Sequence, residues 1–443
     1  NLLLRQAAWD GFQPGSRGLM PEPHPSQDEM ASPHEAGAQP LAEKETSSSF
    51  SPDAPSDQAK NEKNLPQYPV QVLILFNQPV LPQDHPLKES EHEVEFIVEH
   101  TRKTLQAAGM TVETLGVGRD PLVLVRELQA RKPEVVFNLF EGLGDAGGTE
   151  STAAGILEWL EIPFTGCPSP ALSIARDKIS SKRLLAGAGL PVAGFLCLHD
   201  QRVPACPFEW PVIVKPAGQD ASVGIDHNSV VSGQESLVRR VDHVLREHGG
   251  PVLVEEYLPG REFSVVVIER AGEGLVNLPA FEIRFEREGP GVWPIFTYDA
   301  KWEVESEDFH NTPLDIPAHI DEEMHRKLGR IAREAFEVLG CRDYARVDFR
   351  LDGLGEPRIL ELNPNPDLSP EACLASTLEE CGPVSHEEFL VELILRAHQR
   401  GGFMRTVRSM APKPKTDTGP SQESAGFENP FSGDSENSKN HGL

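Results

Sequence analysis

Between residues 70 and 140 the chain switches repeatedly between two hydrophobic periods, and this alternation restricts the fold more than any other feature. Residues 72–76, VLILF, are uninterrupted apolar side chains, the pattern of a strand covered on both faces. HEVEFIVEHTRKTLQAAG (92–109) then puts Val94, Ile97, Val98 and Leu105 on one side of a helix, with Gly109 as its stop. TVETLGV (111–117) reads as a second strand, PLVLVRELQARK (121–132) as a second helix and PEVVFNLF (133–140) as a third strand. A glycine-bearing loop, EGLGDAGGTE (141–150), follows. Strand, helix and strand in that order require crossovers, so the first domain is expected to be a small Rossmann-like α/β unit with a parallel sheet.

The pattern then changes. Ser169 and Pro170 read as an N-cap and first helical residue, opening one helix through ALSIARDKISSKRLLAGAG (171–189). WPVIVKP (210–216), PVLVEEYL (251–258) and EFSVVVIE (262–269) are short apolar strands. Between them one helix carries Leu237, Val241, Val244 and Leu245 on a single face. A later helix repeats Leu328, Ile331, Ala335 and Leu339 before Gly340. YARVDFRL (344–351) and PRILELN (357–363) read as a hairpin around DGLGE. Residues 1–68 and 402–443 are rich in Pro, Ser, Glu, Gln and Gly without sustained periodicity, and both are expected to be disordered tails.

Charge narrows the function. The chain carries a net −28, most of it between the two tails. An acidic folded region argues against a nucleic-acid binder, which needs a basic face. No apolar run approaches the roughly 20 residues that span a bilayer, so no membrane partner is expected. The six cysteines have no C-x-x-C spacing, as expected of free thiols in a reducing, cytoplasmic setting.

The chemistry gathers around ILELNPNPDL (359–368). Glu361 sits in an apolar strand, where a carboxylate is costly unless compensated. In the preceding strand Arg346 and Asp348 are two apart and point the same way. If the two strands pair, Asp348, Glu361 and Asn363 converge, and two carboxylates with an amide oxygen suit Mg²⁺. The alternative is a surface-facing glutamate on an edge strand. Lys215 ends an apolar strand ahead of a loop with Gly218, Ser222 and Gly224, whose backbone N–H groups could meet phosphates. A solvated strand-end lysine is the plainer alternative. Lys178 lies in IARDKISSK, Lys301 in TYDAKW and Glu262 in VEEYLPGREF.

Taken in order, Lys178, VIVKP…SVG (212–224), EEYLPGREF (255–263), YDAKW (298–302), RVDF (346–349) and ELNPNP (361–366) resemble the ATP-grasp superfamily. Within it the chain is most similar to the D-alanine–D-alanine ligases, over roughly residues 70–400. FTG (164–166) and AGLPV (188–192) add to the likeness. The resemblance implies α/β and α+β domains at 69–172, 173–260 and 261–401, with ATP between the latter two. It implies that Lys178 and Lys215 bind phosphates under the loop 218–224. Glu255, Glu256, Tyr257 and Leu258 would line the adenine pocket, and Glu262 would take the ribose. Lys301 would reach the γ-phosphate and Arg346 would stabilise charge on the reacting groups. Asp348, Glu361 and Asn363 would hold two Mg²⁺ ions, with Mn²⁺ as a substitute. The implied activity is ADP-forming ligation of a carboxylate to an amine through an acyl phosphate, with amino acids or amines as substrates. The family often forms homodimers.

The amino-acid side departs from the family. Glu93 matches an N-terminal glutamate that in these ligases joins a serine and a tyrosine over the first D-alanine. The serine position is Ala221 and the tyrosine position is Trp302. The Ser–Leu pair that meets the second carboxylate is Ala372 and Cys373, a glycine is Asp367, and the usual HG is Glu141–Gly142. The acceptor is therefore expected to differ from D-alanine, lacking a free carboxylate or carrying a positive charge. The competing readings are a genuine D-alanine–D-alanine ligase of peptidoglycan synthesis, with Ser369 or Ser376 serving the acceptor, and a catalytically retired ATP-binding scaffold.

Overall fold

The computed structural model describes residues 68–80, 88–143, 146–219 and 222–410, with the side chains of 88–93 and 403–410 left aside. The expectation of disorder for residues 1–67 and 411–443 lies outside the described residues. The apolar run forms β1 (Gln71–Asn77), followed by α1 (Lys88–Ala107), β2 (Thr111–Val117), α2 (Pro121–Arg131) and β3 (Val135–Leu139). The three strands pair in parallel in the order β2-β1-β3. Asp120 starts α2 by accepting a hydrogen bond from Leu122 N at 3.0 Å, ahead of a proline that needs no donor partner there.

After α3 (Thr149–Trp159), the expected single helix is two: α4 (Ser169–Arg176) and α5 (Lys178–Gly187). Asp177 breaks it. Its backbone is extended, and its side chain accepts from Ile179 N and Ser180 N, which makes it the N-cap of α5. The expected cap at Ser169 is also corrected. Pro168 holds the N-cap position, and Ser169 instead donates its hydroxyl to Glu158 at 2.5 Å.

β4 (Phe195–Leu198), β5 (Val212–Pro216), β6 (Val230–Val231) and β7 (Val252–Glu256) form an antiparallel sheet in the order β4-β7-β5-β6. The helix α6 (Gln234–His248) packs Leu237, Val241 and Val244 against it. The larger sheet contains β8 (Glu262–Arg270), β9 (Gly274–Asn277), β10 (Phe281–Ile283), β11 (Leu314–Asp315), β12 (Tyr344–Leu351) and β13 (Pro357–Asn363). Its order is β11-β10-β8-β12-β13, with β9 on β8. Two short helices, α7 (Tyr298–Trp302) and α8 (Glu307–His310), lie between β10 and β11 in sequence. The helix α9 (Glu322–Val338) covers this sheet with Leu328, Ile331, Ala335 and Phe336.

The last elements are α10 (Cys373–Cys381) and α11 (His386–Met410). Because α11 runs to Met410, the expected tail boundary at 402 falls inside a helix. One apolar cluster joins Val72 and Ile74 of β1, Val266 and Ile268 of β8, Tyr344 of β12 and Phe389 and Ile394 of α11. The first and largest sheets therefore share a core, and residues through Gly401 form one compact unit. Among the described residues no helix is long and apolar enough to cross a membrane.

Candidate active site

The β12–β13 pairing answers what Glu361 faces. Asp348 is the register partner of Glu361, and Arg346 is that of Asn363. The register then slips: Phe349 pairs with Ile359, so Leu360 is the extra residue of a β-bulge. The bulge turns Leu360 and Glu361 into one cavity of about 210 Å³, lined by both the four-stranded and the six-stranded sheet.

Cations surround the two carboxylates. Lys178, the first residue of α5, donates from Nζ to Glu361 Oε2 at 2.9 Å. Arg346 grips Asp348 with two parallel hydrogen bonds of 2.7 and 2.9 Å, the strong fork geometry of guanidinium and carboxylate. Ser264 Oγ adds a third at 2.7 Å. Lys178, with Arg346 and Lys215 behind it, holds the Glu361 carboxyl at about 2 against the cost of burial. Burial and then Arg346 pull the Lys301 ammonium below its ordinary value, although Glu361 and Asp348 oppose them. Burial works against the Arg346 charge, but Asp348 outweighs it and raises the guanidinium further.

A second charged group lies deeper. Glu255, 1% exposed, is the penultimate residue of β7 and lies between Lys182 Nζ at 2.5 Å and Lys215 Nζ at 2.9 Å. Burial pushes its carboxyl upward, yet the two lysines together hold it at about 2. Lys182 also donates to the Leu360 carbonyl at 2.9 Å, the carbonyl displaced by the bulge. Sequence reasoning missed Lys182. Its signal was present: it stands four residues after Lys178, on the same face of α5. Arg350 was also missed. It donates to Glu262 Oε2 at 3.0 Å and to the Pro294 carbonyl. Burial pushes the Glu262 carboxyl up, with Arg350 pulling it back.

Of the other expected nucleotide residues, Ser222, Glu256, Tyr257 and Leu258 line the cavity with Lys178, Lys215, Glu255 and Glu262. The Tyr257 hydroxyl is buried with no hydrogen-bond partner among the described residues. Glu256 instead faces the β4 side, accepting from Gly194 N at 2.8 Å. Gly218 and Gly224 belong to the covering loop but do not line the cavity, which meets it at Gln219, Ser222 and Val223. Gly224 has φ +77°, and a Cβ there would sit 2.7 Å from both His248 Nε2 and Pro216 Cγ. Asn363 is off the cavity lining as well, and its Oδ1 accepts from Asn365 N at 2.9 Å.

The acceptor side is mixed. Glu93 belongs to α1, but its side chain is outside the described residues, as is Ala221. Lys301 lies 5.3 Å from the Trp302 ring. Ala372 is the N-cap of α10 without any side-chain hydrogen bond, and Cys373 beside it lines the cavity. Asp367 adds less than its charge suggested. Its two oxygens accept from Ser369 N at 2.8 Å and Ser369 Oγ at 3.0 Å, so it caps its own loop and occupies the nearby serine. Glu371 Oε2 is buried without a hydrogen bond among the described residues, and its charge acts on His100.

Comparison with known proteins shows what the chain is similar to. Residues 184–395 match the family model described as D-ala D-ala ligase C-terminus. The D-alanine–D-alanine ligase of Sinorhizobium fredii is 32% identical over 289 residues, 65% of this chain and 87% of that protein. The enzyme of that name from Rhizobium meliloti is 33% identical over 291 residues, with the same coverage of 65% and 87%. The solved structure of D-alanine–D-alanine ligase from Bacillus anthracis complexed with ATP matches in fold. Its TM-score is 0.55 at 18% identity, covering 76% of this chain and 99% of that one.

Proposed function

The chain belongs to the D-alanine–D-alanine ligase family of ATP-grasp enzymes and is an ATP-dependent ligase; from that premise we propose that it joins a carboxylate to an amine other than D-alanine. The observation that carries the catalytic half is the convergence of Lys178, Lys215, Lys301 and Arg346 on the Asp348–Glu361 pair in one cavity. A carboxylate is a poor electrophile. Transfer of the γ-phosphoryl of ATP to its oxygen makes an acyl phosphate. The amine nitrogen then attacks the acyl carbon, the C–N bond forms, the C–O bond to phosphate breaks and phosphate leaves. Such transfers are accelerated chiefly by positioning and by charge held in place.

Each residue has a role in this reading. Lys178 and Lys215 hold phosphate oxygens, Glu255 orients Lys215, and Tyr257 and Leu258 meet the base while Glu262 takes the ribose. Lys301 neutralises the transferred group and Arg346 the developing oxyanion. Asp348 and Glu361 are hard oxygen donors, Glu361 held ionised by Lys178, Arg346 and Lys215; with Asn363, whose Oδ1 would have to release Asn365 N, they would hold one or two Mg²⁺ ions that leave positions for phosphate and water. When bound, those ions would screen the phosphate charge. Residues 69–172, 173–260 and 261–401 act as three domains that close over ATP.

The acceptor half rests on four positions. Ala221 and Ala372 carry no side-chain donor, Trp302 can only donate, and Glu371, whose Oε2 makes no hydrogen bond among the described residues, stands beside Ala372. These favour an amine without a free carboxylate, or with a second positive charge. The test is product analysis with Mg²⁺ and ATP across D-amino acids, L-amino acids and simple amines. D-alanine as best acceptor with D-alanyl-D-alanine as product would overturn the acceptor assignment and leave the catalytic one standing.

A further inference from the structure

The loop that follows β5 and the segment that carries Lys301 are stitched together by hydrogen bonds at the rim of the cavity and behind it. Ser222 Oγ donates to the Phe296 carbonyl at 3.0 Å. Tyr298 N donates to the Ile225 carbonyl at 3.0 Å. Trp293 N donates to His227 Nδ1 at 3.1 Å. That bond fixes the tautomer, because a nitrogen that accepts leaves the ring proton on the other one. His227 Nε2 therefore donates to Asp308, whose oxygens lie 3.2 and 3.1 Å away.

Asp308 is 8% exposed and is the hub of this group. It also accepts from Arg287 Nη1 at 2.6 Å and from Thr297 Oγ1 at 2.8 Å. Thr297 Oγ1 in turn accepts from Ala300 N at 3.1 Å as the N-cap of α7. The turn so fixed presents Lys301 to the cavity. A path of hydrogen bonds thus runs from His227, three residues beyond the covering loop, through Asp308 and Thr297 to Ala300 N, the residue before the lysine. None of these three lines the cavity, so each can act only through what it holds. In the covering loop itself Ser222, tied to the Phe296 carbonyl, stands at φ +61°, a conformation unfavourable for a non-glycine residue unless its surroundings enforce it.

We propose that His227, Asp308 and Thr297 are positioning residues that make the covering loop and the Lys301 turn close as a single lid. The inference rests on the role given to Lys301 above. Its chemical purpose follows from the intermediate. If water reaches an acyl phosphate before the amine does, an oxygen of water bonds to the acyl carbon and the C–O bond to phosphate breaks. The starting carboxylate and inorganic phosphate return, and ATP is spent without ligation. Two loops that close independently leave that path open, whereas one lid shuts it.

The test is the ratio of ADP released to ligated product, with the amino-acid or amine pool that gives turnover in the wild type. The wild type should release about one ADP per product. Asp308→Ala and Thr297→Ala should release severalfold more, with kcat down roughly tenfold and KM for ATP moved by less than about threefold. Thr297→Ser keeps the hydroxyl and should keep the coupling. Wild-type coupling in Asp308→Ala and Thr297→Ala would overturn the latch while leaving the ligase reading intact. Hydrogen exchange with the ATP analogue AMP-PNP asks the same question without turnover. Residues 222–227 and 293–301 should gain protection together in the wild type and separately in Asp308→Ala. Joint protection in both proteins would overturn the latch even if no acceptor supports ligation. Should Asp308→Ala fail to fold, the Thr297→Ala and Thr297→Ser pair carries the test.

Discussion

Glu255 and Lys182 show how a site is set by single charges. Two buried ions hold one another best where their remaining hydrogen-bonding groups also find partners; here Lys215 meets Glu255 Oε2 and the Leu360 carbonyl takes Lys182, while Glu255 Oε1 has only its ion pair with Lys182 and no hydrogen bond. Lys182→Met should destabilise the fold by about 3 kcal/mol, because it leaves the buried Glu255 carboxylate with only one of its two lysines. The double variant Lys182→Met/Glu255→Gln should recover most of that loss in urea unfolding but not the affinity for ATP, since Lys215 has lost its guide. The pH dependence has a definite sign. The Glu255 carboxyl sits at about 2 in the folded protein against an ordinary 4.5, so folding favours its ionised form. That stabilisation is complete above about pH 4.5 and is lost as pH falls toward 2. Urea midpoints of the wild type should fall through this window, and those of the double variant should fall less. The expected residues Lys178, Lys215, Lys301, Arg346, Asp348 and Glu361 were legible because each breaks a local rule: a charge ending or interrupting an apolar strand, or a lysine outside any pattern. Lys182 was hidden because a second lysine on a helix is ordinarily solvated. Only the bulge at Leu360, invisible in a period-2 pattern, gives it a buried partner.

Elements were legible in proportion to their length. The strands of the parallel sheet and the helices α1, α2, α6 and α9 carry several apolar repeats each. By contrast β4, β6, β9, β10 and β11 are two to four residues long, too short to display a period. The segment holding α7 and α8 is organised by caps and by Asp308, not by apolar spacing. The break at Asp177 was missed because the apolar pattern continues across it, and the signal was the capping side chain itself. Asp177→Ala should cost about 1 kcal/mol and weaken ATP binding, since Lys178 is the first residue after the cap. Calorimetric titration of ATP beside thermal unfolding separates the two effects. Gly224→Ala should fail more severely. The positive φ and the 2.7 Å approaches to His248 and Pro216 would displace the covering loop, raising KM for ATP severalfold in steady-state assays.

At the scale of the molecule, the sheets differ in how they are held. The parallel sheet shares its apolar core with the large sheet through Val72, Ile74, Val266 and Phe389, whereas the four-stranded sheet has its own small core under α6. A unit with its own core can move without opening its neighbour's, so in the proposed function closure over ATP would fall to β4–β7 and the covering loop, which touch the rest through the small clusters around Ile179 and Ile295. The α/β opening, the antiparallel remainder and the hairpin that bears Asp348 and Glu361 could all be read from hydrophobic spacing. The shared core could not, because nothing local records which apolar faces meet across long stretches of chain. The measurement that bears most directly on the account is ADP release, with product mass, by the wild type and Glu361→Gln under Mg²⁺, ATP and the amino-acid and amine pools. The account predicts ADP and one ligated product from the wild type, and neither from Glu361→Gln at an unchanged unfolding midpoint. Turnover by Glu361→Gln at the wild-type rate would contradict it.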